Sequence, residues 1–170
     1  MSTTLTLEKR GIPVLLACDV LVVGAGMSGF SAAVSAARTG VGVVLAEANH
    51  FPGGVATGGL MCSISNYFVT RDGQQMTTGL SVEFVDRMVA ENGAMKRYLR
   101  PTQPQIPNDP EVVKRVMIKM LREAHVRSLY GCVLYDVITE GDAVKACVFH
   151  GRDQSFAVVA EQFVDSTGDL

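Results

Sequence analysis

Charge of one sign, paired cysteines and long apolar runs are all scarce in this 170-residue chain. Fifteen Lys and Arg stand against 17 Asp and Glu, mixed along the sequence, for a formal net charge of −2. That balance offers no basic stripe for nucleic acid and no polybasic patch for a membrane surface, so neither is expected as a partner. Four cysteines, Cys18, Cys62, Cys132 and Cys147, lie far apart, and with the three histidines they make no CxxC and no zinc spacing. No metal site is expected, and the thiols are expected to be reduced and mostly buried. One stretch imitates a secretory leader: Lys9-Arg10 followed by GIPVLLACDVLVVGAG. Asp19 interrupts it, glycines arrive where an apolar core should continue, and the run is too short and broken for a membrane span. We read residues 1–17 as an N-terminal arm, expect no targeting segment, and place the protein in the cytoplasm.

Nearly half the chain is apolar, which together with its length is enough for one domain with a real core. CDVLVVG, 18–24, is rich in branched apolar residues and bounded by glycine, the pattern of a buried strand. From Met27 to Thr39 the apolar residues Phe30, Ala33, Val34 and Ala37 follow helical spacing, and Gly40 stops the helix. VGVVLAE, 41–47, is a second buried strand. Residues 51–79 are glycine-rich and read as a long loop. Leu80–Asn92 carries Phe84, Val85, Met88 and Val89 at helical spacing and ends at Gly93. The proline-rich segment 100–110 is an extended connection. Asn108-Asp109-Pro110-Glu111 then opens another helix, with a capping side chain and a proline in its first turn. Val113, Val116, Met117, Met120, Leu121 and Ala124 form its buried stripe, while Lys114, Arg115, Lys119 and Arg122 form a solvated face. Short strands follow, turning at Glu140-Gly141-Asp142 and Gly151-Arg152-Asp153, which predicts a β-meander. EQFVDSTGDL supplies a last short strand.

The chemistry lies in VVGAGMSGFSAA, 22–33. Gly24, Gly26 and Gly29 make GxGxxG directly after a strand and directly before a helix, and in that position each glycine has a purpose. Gly24 permits the tight turn, and Gly26 lets a pyrophosphate reach the backbone. Gly29, helped by Ala33, lets the helix pack closely on the strand. Amides at the helix start face the phosphates, and the helix dipole favours their charge. Glu47 ends the second strand, where a carboxylate accepts the hydroxyls of an adenosine ribose and repels a 2′-phosphate. The constellation predicts a dinucleotide site in a βαβ unit.

The segment DVLVVGAGMSGFSAAVSAARTGVGVVLAEANHFPGGVATGGL resembles the N-terminus of FAD-dependent oxidoreductases with a glutathione-reductase type of flavin domain. In such proteins a Gly-Gly loop follows the acid and lies toward the flavin, and Gly53-Gly54 with VATGG match it. FVDSTGDL is similar to the family's closing strand, with Ser166 where alanine is usual. The resemblance covers 18–60 by motif and 108–170 by order, and leaves 61–107 unmatched. It implies an α/β, Rossmann-like FAD/NAD(P)-binding domain with a βαβ GxGxxG unit and a β-meander over 18–170, and FAD as the cofactor. By position, Gly24, Gly26, Met27, Ser28 and Gly29 are implied at the pyrophosphate and Glu47 at the adenosine ribose. Gly53, Gly54, Ala56 and Thr57 are implied at the pyrophosphate and the flavin-side portion, the main chain of Val133 at the adenine, and Gly168 and Asp169 closing the site.

A flavin implies hydride or electron transfer but names no substrate, and no catalytic residue is assigned. Complete members are much longer, so the domain is expected to be truncated, with the substrate domain missing. Self-association or a partner chain would then cover the exposed surface. A non-catalytic dinucleotide-binding fragment or subunit is the alternative. An NAD-binding dehydrogenase domain is a weaker one, because such a domain continues with further βα units. Cys62 and His50 are read as an incidental thiol and a polar loop residue.

Overall fold

The computed structural model describes residues 11–65, 70–72, 74–96 and 105–169. Residues 66–69 of the glycine-rich loop and 100–104 of the proline-rich segment lie outside them. The described elements are β1 (Val14–Val23), α1 (Met27–Ala37), β2 (Val43–Glu47), β3 (Ser63–Ile64), α2 (Leu80–Ala90), β4 (Ile106–Pro107), α3 (Pro110–Glu123), β5 (Arg127–Tyr130), β6 (Val133–Glu140), β7 (Ala143–His150) and β8 (Ser155–Asp165).

The main sheet runs β5-β2-β1-β8-β7-β6. Its first four strands are parallel, joined by the pairings β2–β5, β1–β2 and β1–β8, and β7 and β6 continue it as antiparallel hairpins. Alternation along β1 and β2 divides the core. Val22, Val43 and Leu45 face α1, α2 and α3 in one cluster. Leu21, Val23, Val44 and Ala46 face Cys132, Cys147, Phe149, Phe156 and Val158 in the other. The meander therefore curls over the sheet face that the helices leave open, and β2 is buried along its whole length.

Two boundaries differ from the sequence-based expectation. β1 starts at Val14, not Cys18: Val14, Leu16 and Ala17 pair with Ala157, Val158 and Val159, so part of the expected arm is strand. The two short terminal strands are one strand, β8. It pairs with β7 from Ser155 to Val159 and with β1 up to Asp165. Glu161 and Gln162, which look like a break, lie where β8 has lost β7 and kept β1, so their side chains are exposed.

Local signals explain the helices. Asp109 caps α3, its Oδ1 accepting from Glu111 N at 2.8 Å, and Pro110 follows it. The helix buries Val112, Val113, Val116, Met117, Met120 and Leu121. Gly40, at φ +95°, stops the chain after α1 in a conformation that L side chains resist. On the surface, Arg38, Glu83, Arg87 and Glu123 join α1, α2 and α3 in one ion-pair chain, with N–O distances of 2.6–2.8 Å.

Candidate functional site

The parallel strands β1, β2 and β8 deliver their carboxyl ends to one edge of the sheet. From β1 the chain moves outward to β2 and β5, then returns to place β8 on the other side of β1. The order reverses beside β1, and a crevice outside the strand ends is the expected consequence. A groove of about 610 Å³ lies there. It is walled by Val23-Gly24, Gly26–Ser28, Ala46–Asn49, Gly54-Val55, Cys132–Leu134, and Ser166, Thr167 and Asp169.

Its floor is the glycine turn. Gly24 has φ +93°, and a Cβ there would stand 2.5 Å from Ser166 O, so β8 passes too close for any side chain. A Cβ on Gly29 would stand 1.8 Å from Gly24 O, so Gly29 serves the packing of α1 and lies beneath the groove. Gly26 differs: a Cβ there meets nothing within 4 Å, and the residue lines the groove. That open space is what a closely approaching diphosphate requires. Gly26 is also the N-cap of α1 and offers no side-chain cap. The amides of the first turn, at Met27 and Ser28, therefore depend on solvent or an anion for partners.

Glu47 is only 7% exposed. Its Oε2 accepts from Ala25 N at 2.6 Å, and its Oε1 accepts from Asn49 N at 2.8 Å and Asn49 Nδ2 at 2.9 Å. Ala25 O in turn accepts from Gly53 N at 2.7 Å. Residues 47–49 also hold the start of the meander, with Cys132 N donating to Glu47 O at 3.1 Å and Gly131 N to Asn49 O at 3.0 Å. The acid is thus the junction of three walls of the groove. Burial pushes the pKa of Cys132 up, and the nearby Glu47 charge adds to that, so this lining thiol is not a poised nucleophile.

The Gly-Gly loop completes the floor. Gly53 and Gly54 both have positive φ, +116° and +53°, and a Cβ on Gly54 would come 3.1 Å from Gly26 Cα. Gly54 lines the groove, whereas Gly53 is buried behind it. Thr57 is 1% exposed, and its hydroxyl donates to Pro52 O at 2.9 Å, which ties the loop and turns the side chain away from the groove. Ala56 instead lines, with Met27, a neighbouring cavity of about 300 Å³ between α1 and α2. Val133 is half exposed at the start of β6 and lines the groove, as does Asp169. Gly168, at φ +81°, turns the chain between Thr167 and Asp169 without lining it.

Of the residues expected at the site, the structure brings Gly24, Gly26, Met27, Ser28, Glu47, Gly54, Val133 and Asp169 to one groove. Gly29, Gly53, Ala56, Thr57 and Gly168 stand around it. Asn49, Ser166 and Thr167 line it without having been singled out as contacts. Cys62 is exposed outside it, and the His50 ring covers Gly131. Among the described residues no cluster of three or more His, Cys, Asp or Glu could hold a metal ion, and no helix is long and apolar enough to cross a membrane.

The chain is similar to several known proteins. Urocanate reductase from Eggerthella lenta is 47% identical over 57 residues, which are 32% of this chain and 9% of that protein. THI4 of Thermovibrio ammonificans has a similar fold, with a TM-score of 0.63 at 18% identity over 89% of this chain and 57% of that one. A flavocytochrome c3 fumarate reductase in its open conformation gives a TM-score of 0.64 at 18% identity, over 89% of this chain and 34% of that one. The chain therefore spans less than two thirds of each of these proteins. The profile of the FAD dependent oxidoreductases matches residues 19–169. The chain belongs to that family, whose cofactor is FAD.

Proposed function

We propose that this chain is the FAD-binding portion of a flavin-dependent oxidoreductase. The observation that carries the proposal is the convergence of a bare Gly26, an uncapped helix start and the buried acid Glu47 on one groove. The amides of Gly26, Met27 and Ser28 hold the pyrophosphate, with Gly24 and Gly29 shaping the turn that presents them. Glu47 holds the adenosine ribose, and the main chain at Val133 flanks the adenine. Gly53 and Gly54, fixed by Ala56 and Thr57, carry the groove toward the flavin, and Gly168 and Asp169 close it. The bound flavin supplies hydride or electron transfer, and the chain supplies binding and orientation.

The substrate is a small molecule held mainly by residues beyond this chain. Either a second copy or a partner chain covers the exposed apolar residues of the meander, among them Val133, Tyr135, Val137 and Ile138. The four free cysteines fit a cytoplasmic location. Separate titrations with FAD and NADH, followed by flavin fluorescence or heat, test the cofactor. Saturable FAD binding, tighter than that of NADH, is expected. Binding of NADH with none of FAD would overturn the proposal.

A further inference from the structure

The carboxylate of Glu47 is more heavily engaged than a ribose-binding acid should be. A carboxylate offers about four lone-pair positions. Ala25 N occupies one on Oε2, and Asn49 fills both on Oε1 through its backbone N and its Nδ2. One position is left, on Oε2, for a ribose that presents two hydroxyls. The acid alone cannot receive both unless a protein hydrogen bond breaks.

Asn49 supplies the missing acceptor. Its side chain is exposed and lines the same groove as Glu47. Because Oε1 of an ionised carboxylate can only accept, the carboxamide must turn its Nδ2 to Glu47. Its Oδ1 is then the second acceptor of the pair, one bond away from the acid it holds. We propose that Glu47 and Asn49 read the adenosine ribose diol together, one hydroxyl donating to Glu47 Oε2 and the other to Asn49 Oδ1. Asn49 is then a specificity residue for an unmodified ribose, while its backbone N and that of Ala25 keep the carboxylate fixed when the side chain is removed. The same arrangement rejects a phosphate on either hydroxyl twice, by the charge of Glu47 and by the loss of one of the two donated hydrogens.

The proposal rests on the FAD site described above, and the test separates the two. The full chain and its Asn49→Ala variant are titrated with ADP, 2′-deoxy-ADP and 3′-deoxy-ADP. Removing one hydrogen bond is expected to weaken ADP about tenfold, the factor that ~1.4 kcal/mol represents. That loss should shrink to under about twofold with the one deoxy nucleotide that lacks the hydroxyl Asn49 receives, and persist with the other. A variant that binds ADP as tightly as the parent overturns the proposal, as does an equal loss with all three nucleotides, which would mark Asn49 as structural. Either result leaves the FAD site standing. A parent chain that binds neither ADP nor FAD overturns both.

Discussion

At the residue scale, three glycines of one motif carry three different physical demands, and substitution separates them. Gly26 faces open groove, so Gly26→Val should leave the fold intact and lower FAD affinity by at least about 100-fold, checked by titration alongside circular dichroism. Gly29 faces Gly24 O at a distance no Cβ tolerates. Gly29→Ala should therefore cost about 3 kcal/mol or more of stability, read from urea unfolding, because the backbone of α1 must move. An unchanged unfolding midpoint would contradict the packing role given to Gly29. The cysteines make a second test at this scale. Cys147 is buried, and desolvation, with a smaller contribution from Asp165, pushes its pKa up to about 11. An acid whose folded pKa is raised stays neutral in the native state while the unfolded thiol ionises. Stability should thus fall as pH rises from the ordinary thiol range toward 11. Cys147→Ser should flatten that slope, as measured by denaturation between pH 8 and pH 10.5, and a slope unchanged in the variant would contradict the assignment.

At the scale of elements, the legible parts were those with short-range rules. The turn from β1 into α1 needs glycines at fixed offsets, and Asp109-Pro110 sets a capping side chain and a first-turn proline directly before an apolar stripe, so both could be read from the chain. β2 was legible because burial on both faces leaves an unbroken apolar run. The ends of β1 and β8 were not. Their limits depend on which strand lies alongside: Val14 is strand only because Ala157 pairs with it, and Glu161 continues β8 only because β1 does. Long-range pairing of this kind leaves little local mark. Glu47 was legible from its place at a strand end, but its bond from Ala25 N was not, since Ala25 meets it only after the turn closes. Asn49 carried one weak signal, an amide two residues beyond the acid. Between helices, the ion-pair chain through Glu83 is partly exposed, and Arg38 first and Arg87 next hold its carboxyl below the usual range. Exposed pairs contribute little, so Glu83→Gln should cost no more than about 1 kcal/mol, with the difference shrinking in high salt. A loss several times larger would mean the network is less solvated than its exposure indicates.

At the scale of the whole molecule, the fold is organised around one edge. The helices cover one face of the parallel sheet and the meander the other, so the strand ends at β1, β2 and β8 remain as the open surface where a ligand can meet three walls at once. A ligand seated there bridges the glycine turn, the segment after β2 and the start of β6, and should stabilise the chain as a unit. FAD at 100 times its Kd should add about 2.7 kcal/mol to the unfolding free energy. The measurement that bears most directly on this account is the visible spectrum of the chain after FAD loading and gel filtration, run beside Gly26→Val. A flavin band should be retained by the parent chain and lost from a folded Gly26→Val protein. Equal retention by both would contradict the placement of the dinucleotide on the glycine turn.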